Sequence, residues 1–251
     1  MRRVLYPAYE RRLQTRLDHD RVPRHIGVML DGNRRWARAV GESTADGHRA
    51  GAANIFPLLG WCEEVGVEVV TLWLLSTDNL KRKPAELEPL LAIIGDVVSG
   101  LAETGRWRIH LVGALELLPE ETRSCLASAA SASEDCEGMT VNIAVGYGGR
   151  QEIADAVRSL LLEHAARGTS VEDVADQIDV DSIAAHLYTK GQPDPDLVIR
   201  TSGEQRLGGF LLWQSAASEF YFCEAYWPDF RKVDFLRALR TYAERDRRFG
   251  A

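Results

Sequence analysis

Short apolar runs punctuate this chain, and most stop abruptly at polar or glycine-rich residues. The first, His25-Ile26-Gly27-Val28-Met29-Leu30, follows Pro23 and ends at Asp31-Gly32-Asn33. The second runs from Val67 to Leu75 and ends at Ser76-Thr77-Asp78-Asn79. Arg108 to Val112, Thr140 to Val145 and Asp196 to Ile199 follow, the last two closing on Gly146-Tyr147-Gly148-Gly149 and Arg200-Thr201-Ser202-Gly203. Continuous apolar runs, unlike alternating ones, predict strands buried on both faces of a parallel sheet. Between them lie stretches with helical character: Gly47 to about Gly66, Pro84 to about Thr104, an alanine-rich run from near Pro119, a run from Arg150, a polar stretch from Gly168 to Tyr188, and the chain from Val233 onward. Phe210 to Trp213 and Glu219 to Cys223 are further short apolar segments. Leu5, Tyr9, Leu13 and Leu17 recur at helical spacing, which predicts an amphipathic arm over residues 1–22 ahead of a domain at 23–251. Strands alternating with helices predict one α/β domain with a mainly parallel central sheet flanked by helices. No repeat or low-complexity linker divides it.

Composition narrows the function classes. The 251 residues suit one domain, with 45% hydrophobic and 27% charged residues, as in ordinary globular chains. A net charge of -7 argues against a nucleic-acid partner. Any anionic ligand must therefore meet arginines gathered in one place. Cys62, Cys125, Cys136 and Cys223 contain no CxxC pair, so neither a zinc cluster nor a disulfide framework is expected, and the cytoplasm is the expected compartment. No apolar run reaches the roughly 18 residues of a membrane span, although a lipid product could draw the protein to a membrane surface.

The chemistry collects where the strands end. Ligands of open α/β sheets bind at the carboxyl ends of the strands. Four such ends here are Asp31-Gly32-Asn33-Arg34-Arg35, Ser76 to Asn79, Gly146 to Arg150, and Arg200 to Arg206. Arginine stands close at hand as Arg34 and Arg35 in the first, Arg82 just after the second, and Arg200 and Arg206 in the last. Guanidinium forks match phosphate oxygens, and the backbone N–H groups of glycine turns before helices add partial positive charge. Asp31 among arginines suits a hard ligand for Mg²⁺, which uses one or two carboxylates together with substrate phosphates. The composite is a site for one or two diphosphates and a metal. Neither a P-loop nor a dinucleotide-binding GxGxxG occurs in the required context.

With these residues in view, the chain resembles the cis-prenyltransferases, the undecaprenyl diphosphate synthase-like enzymes. The resemblance rests on the run from His25 to Ala37, the run from Asp196 to Arg206 with Phe210-Leu211-Leu212-Trp213-Gln214, Ser218-Glu219-Phe220-Tyr221-Phe222, and the closing Arg247-Arg248-Phe249-Gly250. It implies an apolar substrate tunnel, a homodimer and condensation of isopentenyl diphosphate with an allylic diphosphate in Z geometry. By the same resemblance Asp31 would hold Mg²⁺ and assist diphosphate departure, and Glu219 would complete the metal site from the partner subunit or nearby. Gly32, Asn33, Arg34 and Arg35 would cradle the allylic diphosphate, with His48 close by and Trp36 near the allylic chain. Arg200 and Arg206 would bind isopentenyl diphosphate. Asn79, within Ser76-Thr77-Asp78-Asn79, would sit where the new bond forms, with Arg82 beside it. The chain departs from the family pattern at Thr44 (often arginine), at Gly208 (usually serine) and in Asp78-Asn79-Leu80 (more usually Glu-Asn-Trp).

Leu74 stands where long-chain members of the family carry a small residue. On a regular strand it points opposite to Trp73 and Leu75. Facing a tunnel, its bulk would stop the product after a few isoprene units. That implies a short product such as (2Z,6E)-farnesyl diphosphate, made from geranyl diphosphate, as in actinobacterial short-chain Z-isoprenyl diphosphate synthases. The alternatives are a long-chain polyprenyl diphosphate synthase and a non-catalytic binding subunit. Asp31, Arg200 and Arg206 speak against the latter. A trans-prenyltransferase would need a DDxxD cluster, and none occurs.

Overall fold

A computed structural model describes residues 9–15, 17, 18 and 21–245. Its six strands form one sheet in the order β3-β4-β2-β1-β5-β6: β1 His25–Met29, β2 Val69–Ser76, β3 Arg108–Val112, β4 Thr140–Tyr147, β5 Leu197–Arg200 and β6 Glu219–Phe222. Every pairing is parallel. All five residues of β1 are buried, the expected consequence of covering both faces. The connection after β1 runs to β2 on one side, whereas β4 leads back across to β5 on the other. The crevice at this reversal, outside the carboxyl ends of β1, β2 and β5, is where such sheets bind ligands.

The helices are α1 Asn33–Val40, α2 Thr44–Ala53, α3 Ile55–Glu64, α4 Pro84–Glu103, α5 Glu120–Ala132, α6 Gly149–Ala166, α7 Val171–Gln177, α8 Val180–Ala184 and α9 Lys232–Glu244. Three features here correct the sequence reading. Asn33 onward is a helix, not merely a strand-end cluster. Gly32 makes that turn at φ 109°, where an added Cβ would meet the Tyr226 ring at 2.8 Å. The single helix expected from Gly47 to Gly66 is two, divided at Asn54. Pro57 accounts for the break, since its ring excludes the carbonyl four residues back while suiting the first turn of a new helix. The polar stretch from Gly168 likewise forms two short helices, each opened by a side-chain cap, Ser170 or Asp179.

One face of the sheet carries the main core. Ile26, Val28, Leu72, Ile143 and Ile199 pack there with Leu58, Val98, Leu126 and Phe235 from the covering helices. The opposite face packs Val198, Ala144 and Tyr147 against Phe210 and Leu211. A polar array also crosses the interior. His25 Nε2 and Asn142 Nδ2 meet Thr71 Oγ1 at 2.7 and 2.9 Å, and Asn142 exchanges hydrogen bonds with Gln192. His25 Nδ1 meets the Pro193 carbonyl at 2.7 Å, so the array fastens residues 192 and 193 to the amino-terminal half of the strands. Of the expected arm, residues 9–14 are helical, and Tyr9 and Leu13 pack with Val233 and Leu236. Leu5 and the closing Arg247-Arg248 motif lie outside the described residues.

Candidate active site

A cavity of about 970 Å³ opens at the carboxyl ends of β1, β2 and β5. That volume is at the upper end of the usual range for small-molecule sites. Its mouth is polar, lined by Asp31, Asn33, Arg34, Arg35, Arg200 and Arg206 among others, and its depth is apolar, lined by Ile55, Leu75, Leu90, Ile93, Ile94 and Val97. The two characters meet because β2 and α4 supply the greasy wall while the strand ends supply the charges.

Asp31 anchors the polar end. Its carboxylate accepts hydrogen bonds from Arg35 Nη2 at 3.2 Å and Arg200 Nη2 at 3.0 Å. The backbone is pinned too: Asp31 N–H donates to Thr201 Oγ1, and the Asp31 carbonyl accepts from Thr201 Oγ1 and Trp227 N–H. Burial pushes the Asp31 carboxyl up, but the Arg200 hydrogen bond and the charges of Arg35 and Arg200 outweigh it and hold it below the ordinary aspartate value. Asp31 is thus ionised at neutral pH. Arg200, 5% exposed, also donates to the Arg206 carbonyl, which ties the 200–206 turn together. Arg35 reaches Ser202 Oγ at 2.7 Å and Glu204 Oε1 at 3.1 Å.

A second cluster lies under α4. Glu86, in the first turn of that helix, stands 3.3 Å from Arg34 and 3.1 Å from Arg82. Arg82 Nη1 is buried and pairs with Glu86 without a well-aligned hydrogen bond. His48 lines the same wall with its Nε2 buried and unpartnered. Burial, reinforced by the charge of Arg82, lowers its pKa to about 4, so the ring is neutral at neutral pH. Ser76 Oγ accepts the Asn79 N–H at 3.2 Å and caps the turn that brings Asn79 to the wall.

Most of the residues expected from sequence line this one cavity: Asp31, Gly32, Asn33, Arg34, Arg35, His48, Leu74, Ser76, Asn79, Arg82, Arg200 and Arg206. Trp36, Thr77 and Asp78 do not line it, and Asp78 pairs with Lys81 in solvent instead. Glu219 does not join Asp31 within the chain. It opens β6 opposite Leu197, three residues before the level of Arg200, and its carboxylate pairs with Arg245. Nor does the Gly146 to Arg150 cluster converge on the cavity. It buttresses the loop behind it, with Gly149 N–H donating to the Gly209 carbonyl at 2.8 Å. Residues the sequence reading missed are Arg38, Glu42, Glu86 and Glu204. The two glutamates nearest the arginines carried a usable signal, since clustered guanidiniums require counter-charges.

Leu74 takes a position that strand alternation did not predict. β2 shifts register against β4 between Trp73 and Leu75, so Leu74 is an inserted residue. In consequence Trp73, Leu74 and Leu75 all reach the cavity, and Leu74 packs beside Leu75 on the main core. Trp73 stacks on Phe210 at 5.2 Å and closes the other side.

Comparison with known proteins agrees with this geometry. Residues 29–250 match the model of the family described as "Putative undecaprenyl diphosphate synthase". The chain is 64% identical over 251 residues to a (2Z,6E)-farnesyl diphosphate synthase of Thermobifida fusca, covering 100% of this chain and 98% of that protein. It is 53% identical to a short-chain Z-isoprenyl diphosphate synthase of Mycobacterium leprae, covering 100% and 97%. Among solved structures, lavandulyl diphosphate synthase from Lavandula x intermedia, crystallised with dimethylallyl diphosphate, superimposes with a TM-score of 0.85 at 33% identity, over 92% of this chain and 100% of that one. A match of this extent to the family, on an all-parallel sheet with arginines and an aspartate at one cavity mouth, makes this chain a member of the undecaprenyl diphosphate synthase family of prenyltransferases.

Proposed function

We propose that the chain condenses isopentenyl diphosphate with geranyl diphosphate in Z geometry, giving (2Z,6E)-farnesyl diphosphate. The observation that carries the reading is Asp31 between Arg35 and Arg200 at the mouth of a cavity whose depth is apolar. The C–O bond of the allylic diphosphate breaks and pyrophosphate leaves. The isopentenyl double bond attacks the allylic carbon, and the new chain then loses a proton to a diphosphate oxygen. Arg34, Arg35, Arg82 and the unpartnered His48 Nε2 are positioned to receive the charge that develops on the leaving group. Arg200 and Arg206 hold the second diphosphate. Ile55, Leu75, Ile93 and Ile94 keep water from the allylic cation.

Family prenyltransferases use a divalent metal, and Mg²⁺ fits here. Asp31 offers hard, ionised oxygens at the mouth, and such a site takes one or two carboxylates with substrate phosphates completing the shell. Bound there, the metal would neutralise diphosphate charge. The working form is read as a homodimer: the outer edge of β6 pairs with no strand among the described residues, and Phe222 stands exposed beside Phe220 along it. No helix among the described residues is long and apolar enough to cross a membrane.

The decisive experiment incubates purified protein with Mg²⁺, labelled isopentenyl diphosphate and geranyl diphosphate, then separates the dephosphorylated products. A fifteen-carbon Z,E alcohol is expected, and Asp31→Ala should abolish it while leaving thermal unfolding cooperative. A ladder of long polyprenols would overturn the short-chain reading. Undiminished turnover in Asp31→Ala would overturn the site.

A further inference from the structure

The arginines read above as serving two different diphosphates share one carboxylate that neither role employs. Glu204 Oε1 accepts from Arg35 Nη1 at 3.1 Å, and its other oxygen pairs with Arg206. The Glu204 side chain lines the cavity and is 26% exposed. Arg35 in turn holds Asp31, and Arg200 joins Asp31 to the Arg206 carbonyl. The result is a ring of three arginines and two carboxylates that closes through the Arg206 backbone carbonyl.

The backbone is bent to aim Glu204 inward. Ser202 and Gly203 both take left-handed conformations, at φ 76° and 73°. For a non-glycine residue such as Ser202 that conformation is strained. The conformation is held from three directions: Ser202 N–H donates to the Ala225 carbonyl at 2.7 Å, Gly203 N–H to the Cys223 carbonyl at 2.9 Å, and Ser202 Oγ accepts from Arg35. A carboxylate needed only to hold the loop could face solvent. This one points at one cation from each diphosphate site.

We propose that Glu204 is the resident counter-ion of the cavity mouth, standing between Arg35 of the allylic diphosphate site and Arg206 of the isopentenyl diphosphate site until diphosphate oxygens displace it. The inference rests on reading the cavity as a diphosphate site. Glu204 keeps two like-charged guanidiniums together while the site is empty. It also sets a threshold for entry. An anion gains a place only if it returns at least the two charge-assisted hydrogen bonds that Glu204 gives up. Diphosphate meets that condition more readily than phosphate, because it brings more negative charge and more acceptor oxygens. Glu204 is thus a specificity-determining residue that favours diphosphate over monophosphate.

The test is calorimetric titration of inorganic pyrophosphate, and separately of inorganic phosphate, in the presence of EDTA. The proteins are the full chain, Glu204→Gln and Glu204→Asp. Glutamine keeps the shape and removes the charge. Pyrophosphate should bind E204Q about tenfold more tightly than wild type, the size of one charged hydrogen bond. Phosphate should gain at least as much, narrowing the preference between the two. E204D retains a charge and should stay close to wild type. If wild type binds pyrophosphate and E204Q binds it equally or more weakly, Glu204 is no competitor, and the counter-ion role falls while the diphosphate site stands. If none of the proteins binds pyrophosphate, the diphosphate reading falls and takes this one with it. Should E204Q lose cooperative thermal unfolding, Glu204→Ala carries the same comparison.

Discussion

At the scale of single residues, the protonation of two histidines separates the site from its support. His48 and His25 both have pKa values lowered to about 4, chiefly by burial. His25 is 1% exposed and lies in the polar array beneath the sheet, away from the cavity. A histidine depressed in this way favours the folded state while it is neutral. Between about pH 6.5 and 4 the unfolded chain takes up the proton and the folded chain does not, so stability falls as the pH falls through that window. For His25 the loss is on the order of 3 kcal/mol. Urea unfolding at pH 7 and pH 5 should show the decline in the wild type and a flatter response in His25→Gln. Asp31 acts in the same direction at lower pH: its contribution is complete above the ordinary aspartate value and disappears as the pH drops through its depressed one.

At the scale of elements, the site depends on how closely α1 and α2 approach. An added Cβ on Gly47 would stand 2.4 Å from the Asn33 carbonyl and 2.8 Å from Ala37 Cβ. Backbone cannot yield as a side-chain tip can, so Gly47→Ala should cost about 1–3 kcal/mol in chemical denaturation and weaken substrate binding by moving His48. On the facing wall, Leu74→Ala should lengthen the product by one or more isoprene units in the labelled assay, with a stability loss of about 2 kcal/mol or less because the side chain is half-buried. How legible these elements were in the sequence differs by cause. The strands could be read because burial on both faces leaves unbroken apolar runs, and the strand ends Asp31, Ser76 and Arg200 could be placed because parallel strands share one rim. The inserted residue in β2 could not, since alternation carries no mark of a register shift until the partner strand is known. The Asn54 break was recoverable from Pro57. Glu86 and Glu204 were recoverable as counter-charges to the arginines beside them, whereas the pairing of Glu219 with Arg245 depends on a contact between residues far apart in sequence, which no local pattern encodes.

At the scale of the whole molecule, the cavity reverses the sign of its surroundings. Six arginines and four carboxylates line it, in a chain of net charge -7. Two effects oppose each other for an anionic substrate: long-range repulsion by the chain and short-range attraction at the mouth. The Debye length is about 10 Å at 0.1 M salt, so screening removes the first well before the second. Pyrophosphate affinity should therefore decline only several-fold between 20 and 200 mM sodium chloride in calorimetric titration, more gently than for a basic protein. A steep decline would show that the net charge has no such offsetting role. The same strands that present the charges at their carboxyl ends are fastened at the other end by His25, Thr71, Asn142 and Gln192. Anchorage and chemistry thus occupy opposite poles of one scaffold. A combinatorial library confined to residues 73–75 and 90–97 would vary the bore of the cavity while leaving those fastenings intact, so new product lengths could be sought in variants that still fold.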